Sequence, residues 1–248
     1  MQRYFLENEQ FQGENVRLTK DDAHHIMRVM RMKVGDKVIV CNEDQGSFVV
    51  EISNFDDDVV IGAIIRSIEV QVELPVSVTI AQGLPKGDKF EWVLQKGTEC
   101  GATQFIPVKM DRSVVKLDEK KGAKKLERWS KIVKEAAEQA HRQMQPTVHP
   151  IINFKDLLKL GPDYDVCLFA YEETAKKGEL SQLKETLKSI MPGALILVLV
   201  GPEGGISDEE KELLVEAGFL PCALGPRILR TETAPIYILS AISYEFEL

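Results

Sequence analysis

Two loops rich in glycine and proline constrain the fold of this 248-residue chain more than any other feature. The first, residues 201–205, reads Gly-Pro-Glu-Gly-Gly and follows the apolar run of residues 194–200. The second, residues 224–234, reads Leu-Gly-Pro-Arg-Ile-Leu-Arg-Thr-Glu-Thr-Ala and also follows an apolar run. Ligands of open α/β sheets usually bind in loops at the carboxyl ends of strands. We therefore expect these loops to lie at adjacent strand ends and to form the walls of one pocket.

From residue 74 onward, apolar runs of strand length alternate with segments of helical periodicity. The predicted strands are residues 76–81, 103–108, 166–170, 194–200 and 219–224. Five helices are predicted. Two begin at capping boxes: one at Asp88 and Glu91, which runs to about Cys100 before Gly101, and one at Ser207 and Glu210, which runs to Gly218. Helical spacing predicts the other three, around Trp129 and Val133, over 179–190 and over 234–246. This alternation predicts an α/β domain with a mostly parallel sheet and helices on both faces.

The first part of the chain has a pattern typical of β-structure. Residues 37–41, 47–52 and 59–65 are predicted strands separated by turn signals, and one helix is predicted at residues 21–32, capped by Thr19 or Asp21. The pattern predicts a small barrel, which is too short to be the whole protein. We expect two domains, residues 1–72 and 73–248.

Charge is distributed unevenly along the sequence. The net charge is −8, which argues against general binding to polyanions, but residues 109–145 contain eleven Lys/Arg against six Asp/Glu. A local basic patch is typical of nucleic-acid binding. The alternative is a solvated helix face with ion pairs such as Lys131 with Glu135.

Several classes of protein are disfavoured by motifs that the sequence lacks. It contains neither Gly-x-Gly-x-x-Gly nor a Walker loop, so a dinucleotide-binding domain, a P-loop enzyme and an ordinary Rossmann methyltransferase are disfavoured. The four cysteines lie far apart, and no zinc-ligand spacing occurs, so no metal is expected. The longest apolar run, residues 194–200, is too short to span a bilayer, and no signal peptide is evident. We expect a reduced cytoplasmic protein with no membrane association.

Side chains within the two loops are candidates for ligand contacts. Glu203 can accept hydrogen bonds from hydroxyl or amino groups. Arg227 and Arg230 flank an apolar pair, an arrangement that can hold an aromatic base together with an anion. Alternatively, both arginines are surface residues, and Thr231 or Thr233 caps the terminal helix.

Two further polar clusters are candidates. Asp111-Arg112-Ser113 follows a predicted strand and lies near Lys109 and Lys116 in the sequence. Residues 135–142 place Glu138, Gln139 and Arg142 within little more than one helical turn, although a helix-packing face with a polar end would look the same. His24 and His25 are expected to pack or to contact RNA, because no metal partners lie at useful spacing.

Together, several segments resemble the ribosomal RNA small-subunit methyltransferase E family along nearly the whole chain. The matching segments are residues 3–5, 24–31 with 35–36, 91–92 with 95–96, 112–113, 135–139, 201–205 and 224–234. The resemblance implies an N-terminal PUA-like RNA-binding β-barrel and a SPOUT-type α/β methyltransferase domain with a trefoil knot. It also implies a homodimer that uses S-adenosylmethionine to methylate uracil N3 of uridine 1498 in the 16S rRNA of the 30S subunit.

The resemblance implies that the loops of residues 201–205 and 224–234 hold the cofactor, and the charge and chemistry of other residues predict their roles in RNA binding and catalysis. The expected cofactor-binding residues are Gly201, Glu203, Gly204, Gly205, Leu224, Gly225, Ile228, Leu229, Arg230 and Thr233. The expected RNA-binding residues are Arg3, His25, Arg28, Arg31 and Arg142. Arg230 and Arg112 are the expected donors to the developing anion, and Glu232 or Glu138 is the candidate base, with proton loss to water as a further route. The alternatives are a SPOUT enzyme acting on ribose 2′-oxygen and a non-catalytic RNA-binding assembly protein.

The terminal helix is expected to pack in the dimer. It carries Ile236, Ile238, Leu239, Ile242 and Phe246, which are spread over a wider arc than a single core-facing stripe. A helix that is apolar over a wide arc needs cover on more than one side.

Overall fold

The computed structural model describes residues 1–69, 71–114, 119–172 and 182–248, without the side chains of residues 119–121. The chain divides into two compact units. Unit 1 comprises residues 1–73 together with 137–145, and unit 2 comprises residues 74–136 and 146–248. Unit 1 thus combines two stretches of the chain, with residues 74–136 of unit 2 between them. The predicted boundaries had placed residues 137–145 in the second domain.

Unit 1 is built on one six-stranded sheet. Its strands are β1 (Arg3–Phe5), β2 (Phe11–Gln12), β3 (Asn15–Leu18), β4 (Lys37–Asn42), β5 (Gly46–Asp56) and β6 (Val59–Ile68). Their order is β1-β4-β5-β6-β3-β2, in which β1 pairs parallel with β4 and the other neighbours are antiparallel. Val16 and Leu18 of β3 and Val60 and Gly62 of β6 are buried at alternate positions, as expected for strands with one face in the core. Strand β4 is instead buried at four successive positions, residues 38–41.

The predicted N-terminal helix is shorter than expected and changes its hydrogen bonding part-way. The α-helix α1 covers Lys20–His24, and a π-helical turn follows at His25–Val29. Thr19 is the N-cap, but its side chain makes no capping hydrogen bond. Arg31 has φ 51°, in the left-handed region, which is incompatible with a helix continuing to residue 32.

Unit 2 contains the predicted parallel sheet. Its strands are β7 (Ser77–Gly83), β8 (Gln104–Lys109), β9 (Thr147–Val148), β10 (Ile152–Asn153), β11 (Val166–Ala170), β12 (Leu195–Val200) and β13 (Leu220–Cys222). The order is β10-β8-β7-β12-β11-β13, with β9 also paired to β8, and every pairing is parallel. Its helices are α2 (Lys89–Glu99), α3 (Glu119–Gln139, whose end belongs to unit 1), α4 (Phe154–Leu160), α5 (Gln182–Ser189), α6 (Asp208–Glu216) and α7 (Thr233–Glu247).

The central strand β12 shows why an uninterrupted apolar run was needed. Ile196 and Val198 pack in one buried cluster together with α2 and α7, whereas Leu197 and Leu199 pack in a second cluster with α4 and α6. Because successive side chains of a strand point to opposite faces, a strand covered on both faces is apolar at every position. The prediction that this strand is buried on both faces is confirmed.

The helix ends agree only partly with the predicted caps. Ser207 and Glu210 form the predicted capping box, in which each side chain accepts from the other's backbone N–H. Asp88 is the N-cap of α2 but makes no side-chain capping bond, and the N-cap of α7 is Glu232 rather than Thr231 or Thr233. Helix α4 was not predicted, and residues 179–181 of another predicted helix lie outside the described residues. No helix in the described ranges has both the length and the hydropathy to cross a membrane.

Candidate cofactor and methyl-transfer site

The loop of residues 201–205 leaves the carboxyl end of β12. Gly201 and Pro202 are buried, whereas Glu203 and Gly204 are exposed. The Gly205 N–H donates to the Pro202 carbonyl over 2.8 Å, and Gly205 has φ 74°, which favours glycine. The turn therefore anchors its first half in the core and presents Glu203 and Gly204 to solvent.

A buried chain of hydrogen bonds joins this loop to the loop before α7. The Thr231 hydroxyl donates to the Gly201 carbonyl over 2.6 Å and accepts from Gln82 Nε2 over 2.8 Å. Gln82 is fully buried at the carboxyl end of β7, where it is paired with Val200. The two loops therefore meet. The strands before them were predicted to be adjacent, but β11 lies between β12 and β13.

A lysine draws together the acidic side chains of the two loops. Lys89 Nζ lies 2.8 Å from Glu203 Oε1 and 3.7 Å from Glu232 Oε2, and the Lys86 N–H donates to Glu203 Oε1 over 3.1 Å. Partial burial raises the pKa of the Glu203 carboxyl, but the hydrogen bonds from Lys89 and Lys86 outweigh it, so that this pKa lies below its usual value. The hydrogen bond to Glu203 in turn raises the pKa of Lys89. Both groups are therefore charged at neutral pH.

Arg112 closes the other side of the loop at residues 201–205. Its Nη1 donates to the Gly204 carbonyl over 2.9 Å, and a Cβ added at Gly204 would lie 2.8 Å from Arg112 Cβ. The neighbouring Asp111 accepts from Ser207 Oγ over 3.1 Å, and its own N–H donates to Glu210 Oε1 over 2.9 Å. Glycine is thus required at position 204 by the close approach of the segment that follows β8.

Comparisons with known proteins match this architecture. The family described as "RNA methyltransferase domain" matches residues 72–243, and that described as "RNA methyltransferase PUA domain" matches residues 18–62. The ribosomal RNA small subunit methyltransferase E of Bacillus subtilis (strain 168) is 49% identical, over 100% of this chain and 98% of that protein. The chain belongs to the ribosomal RNA small subunit methyltransferase E family.

Two solved structures with bound cofactor resemble the whole chain. The Neisseria gonorrhoeae ribosomal RNA small subunit methyltransferase E, bound to S-adenosyl methionine, is 30% identical, with a TM-score of 0.84 over 99% of this chain and 98% of that one. A Legionella pneumophila protein in complex with the bound cofactor SAM is 30% identical, with a TM-score of 0.82 over 98% of this chain and 96% of that one. These likenesses confirm the predicted SPOUT-type methyltransferase fold, and the family match confirms the PUA domain.

Most of the residues assigned to the cofactor by the family resemblance lie on the two joined loops. In the second loop, Leu224 and Leu229 pack against the core, whereas Ile228 is 76% exposed and Arg230 is exposed. Gly225 has φ 85°, and the Arg230 carbonyl accepts from the Thr233 and Ala234 N–H groups, which begins α7. The structure thus brings Glu203, Arg230, Glu232 and Arg112 into one region of unit 2.

Glu138, the other candidate base, lies in unit 1, in the last turn of α3. Burial of the Tyr4 hydroxyl is the largest cause that raises its pKa, and the negative charge of Glu138 raises that pKa further. Glu232 thus lies in the loop region of unit 2, whereas Glu138 belongs to unit 1.

The predicted RNA-binding arginines fall into two groups. Arg28 and Arg31 are exposed in and after the π-helical turn, where His25 Nδ1 lies 3.0 Å from the Tyr4 hydroxyl. Arg3 and Arg142 are instead buried inside unit 1, at 7% and 4% exposure. Arg3 Nη1 donates to the Arg142 carbonyl over 2.7 Å, and Arg142 Nε donates to Glu73 Oε2 over 3.0 Å. These contacts give both arginines a structural role inside unit 1, and their contact with RNA stays a prediction.

Sequence reasoning missed three residues that organise the site. Gln82, Lys86 and Lys89 hold the loops, yet they lie in β7, in the connection after it and at the start of α2, in an earlier βα unit. The only available signal was that residues 82–89 connect a predicted strand to a predicted helix, as the two recognised loops do. Unit 2 also has two clefts of about 510 and 400 Å³, lined around Lys155 and His149, respectively, and no residue of the two loops lines either of them.

Proposed function

We propose that this protein transfers the methyl group of S-adenosylmethionine to uracil N3 of uridine 1498 in the 16S rRNA of the small ribosomal subunit. The observation that carries the proposal is the joining of two ligand-type loops through Gln82 and Thr231, with charged side chains gathered at their exposed edge. The family to which the chain belongs contains structures with this cofactor bound.

The loops fit such a cofactor chemically. S-adenosylmethionine carries a positively charged sulfonium, which the carboxylates of Glu203 and Glu232 would attract. Glu232 Oε2 is buried and has no hydrogen-bond partner among the described residues. Gly204 and Gly225 leave the backbone accessible, and Leu224 and Leu229 offer apolar surface to an adenine ring. We propose that Gly201, Gly205, Ile228, Arg230 and Thr233 complete this site.

The bound cofactor supplies an activated methyl carbon. The task left to the protein is to remove the proton from uracil N3 or to stabilise the anion that forms. The neutral imide is a poor nucleophile, and donors to uracil O2 and O4 would stabilise the anion as it forms. Arg230 and Arg112 are the proposed donors, because both lie at the loop region. Glu232 is the proposed acceptor of the N3 proton, with Glu138 and water as the other routes. Orientation of N3 toward the methyl group then provides much of the rate.

Docking of RNA is proposed to involve the exposed residues Arg28 and Arg31 of unit 1 together with His25, and the basic stretch of residues 109–145. Phosphate contacts of this type set register and affinity, whereas the base pocket gives specificity. We further propose that the protein acts as a homodimer through α7, where Tyr237 and Tyr244 are 40% and 71% exposed. A 30S substrate would place the enzyme in the cytoplasm.

The deciding experiment is transfer of a labelled methyl group to 30S subunits lacking the modification, followed by mapping of the labelled nucleotide. The proposal requires label on uracil N3 at the stated position, with Arg230→Ala lowering turnover more than RNA affinity. Label on a ribose 2′-oxygen would assign the alternative SPOUT activity, and no label with intact RNA binding would indicate an assembly protein.

A second arm tests docking. Arg28→Glu and Arg31→Glu should weaken rRNA binding and methylation while leaving cofactor affinity intact, and binding of the wild-type protein should weaken as salt rises. If both reversals leave rRNA binding and methylation unchanged, unit 1 does not dock the substrate through this surface.

A further inference from the structure

One ammonium group joins three separate segments of unit 2. Lys89 is the first residue of α2, and its Nζ contacts Glu203 of one loop at 2.8 Å and Glu232 of the other at 3.7 Å. The three side chains are 36%, 30% and 16% exposed, so the cluster is partly withdrawn from water. Lys89 is therefore placed to fix the distance between the two loops.

The position of Lys89 is unfavourable for its own helix. The first turn of a helix carries a partial positive charge, which favours acidic residues and disfavours a cation. Helix α2 begins at Lys89 after the N-cap Asp88 and runs for 11 residues. The charge of Lys89 is thus used by its contacts with Glu203 and Glu232 and not by its own helix.

Without Lys89, the carboxylates would lack their principal counter-charge. Glu232 Oε2 is buried with no hydrogen-bond partner among the described residues, and a buried carboxylate oxygen is costly unless a cation lies near it. Glu203 would keep only backbone N–H donors, those of Lys86 and of Glu203 itself. Two like charges on separate loops would then repel each other and separate the loops.

We propose that Lys89 is a positioning residue for methyl transfer, which holds Glu203 and Glu232 at a fixed spacing so that the two loops present one preformed acidic wall to a sulfonium cofactor. The inference rests on the proposed function, because it assigns the wall to that cofactor. The cluster of two carboxylates and one ammonium keeps one net negative charge, which complements a cationic ligand.

This role predicts a separation between binding and turnover. Lys89→Met removes the fixed spacing but also leaves the wall more negative, so cofactor affinity should change less than turnover. Because a small misplacement of reacting groups is costly, turnover should fall by about tenfold or more. Lys89→Arg should restore much of the turnover, since a guanidinium can bridge two carboxylates.

The same variant should change the pH dependence of cofactor binding. The charged groups around Glu203 are Lys89 and, across Lys89, Glu232, with Arg112 bound to the adjacent Gly204 carbonyl. Lys86 contacts Glu203 through its backbone N–H. Arg230 lies near enough to Lys89 to oppose its charge. When Lys89 is removed, burial still raises the pKa of Glu203 while the main opposing hydrogen bond is lost. Affinity should therefore begin to fall at a higher pH during acidification than in the wild type.

The experiment combines titration calorimetry with S-adenosylmethionine and single-turnover methyl transfer to 30S subunits. Its variants are Lys89→Met, Lys89→Arg, Glu203→Gln and the Lys89→Met/Glu203→Gln double variant. Lys159→Met is the matched control, because Lys159 pairs with Asp156 at 2.7 Å on α4, away from the loops. Losses in turnover from Lys89→Met and Glu203→Gln should be less than additive, because both break one contact.

The outcomes separate this inference from the proposed function. If the wild type neither binds the cofactor nor transfers methyl groups, the proposed function is wrong. If the wild type is active but Lys89→Met matches Lys159→Met in turnover and pH profile, or if the two losses simply add, Lys89 is not a positioning residue.

Discussion

The hydroxyl of Thr231 provides a direct test of how the two loops are joined. Thr231→Val keeps the shape of the side chain but removes the 2.6 Å bond to the Gly201 carbonyl and the 2.8 Å bond from Gln82 Nε2. Gln82 Nε2 retains weaker contacts with the carbonyls of Gly83, Val200 and Gly201 at 3.1–3.4 Å. Two lost bonds at about 1 kcal/mol each predict a loss of about 2 kcal/mol in the free energy of unfolding.

In the whole protein, the decrease in the free energy of unfolding can be measured specifically for unit 2. Both tryptophans of the chain, Trp92 and Trp129, belong to unit 2, so tryptophan fluorescence during denaturant unfolding reports that unit. A loss of this size corresponds to a decrease of roughly 4–8 °C in the midpoint of thermal unfolding. Thr147→Val, the same substitution at an exposed position of β9, is the control and should stay within about 0.5 kcal/mol of the wild type. Equal stabilities for the two variants would refute the structural role assigned to this hydroxyl.

Three other perturbations have defined outcomes. Gly83→Ala places a Cβ 2.7 Å from the backbone N of Pro202, so overpacking should lower the free energy of unfolding by about 1–3 kcal/mol and weaken cofactor binding. Gly122→Ala, whose Cβ makes only ordinary van der Waals contact, is the control and should not destabilise the protein. Denaturant unfolding and titration calorimetry compare the two variants. Arg142→Met leaves Glu73 without its buried partner and should lower the hydrogen-exchange protection of unit 1 by about 3–5 kcal/mol, a prediction that unchanged protection would exclude. Burial raises the pKa of the Cys167 thiol from 9.0 to about 11, so the stability that the protonated thiol contributes is present below pH 9.0 and is lost as pH rises toward 11. Between these pH values, the free energy of unfolding measured by denaturant titration should therefore fall less for Cys167→Ala than for the wild type.

The sheet of unit 2 could be predicted because its information is local. Strands buried on both faces need continuous apolar runs, and β11 and β12 stand out in the sequence for that reason. Ser207 and Glu210 identified the start of α6, since a capping box is made by residues three apart. Helix α4 was missed because it is only 7 residues long and lies among short strands.

Contacts between distant residues could not be predicted in the same way. Gln82 and Thr231 are separated by 149 positions, and Lys89 and Glu203 by 114, so no periodicity or local motif links them. Arg3 looked like a surface cation, yet the carbonyl of Arg142 accepts its hydrogen bond inside unit 1. Whether an arginine faces solvent or satisfies a buried acceptor depends on the fold around it, which composition does not record.

The placement of the cofactor on the two joined loops is tested most directly by backbone amide NMR shifts on titration with S-adenosylhomocysteine. We predict that the amides of the non-proline residues of 201–205 and 224–233, together with those of Lys86 and Lys89, shift on binding, while those of the strands of unit 1 do not. Shifts concentrated instead around Lys155 or His149, at the clefts that no residue of these loops lines, would contradict the assignment of the site.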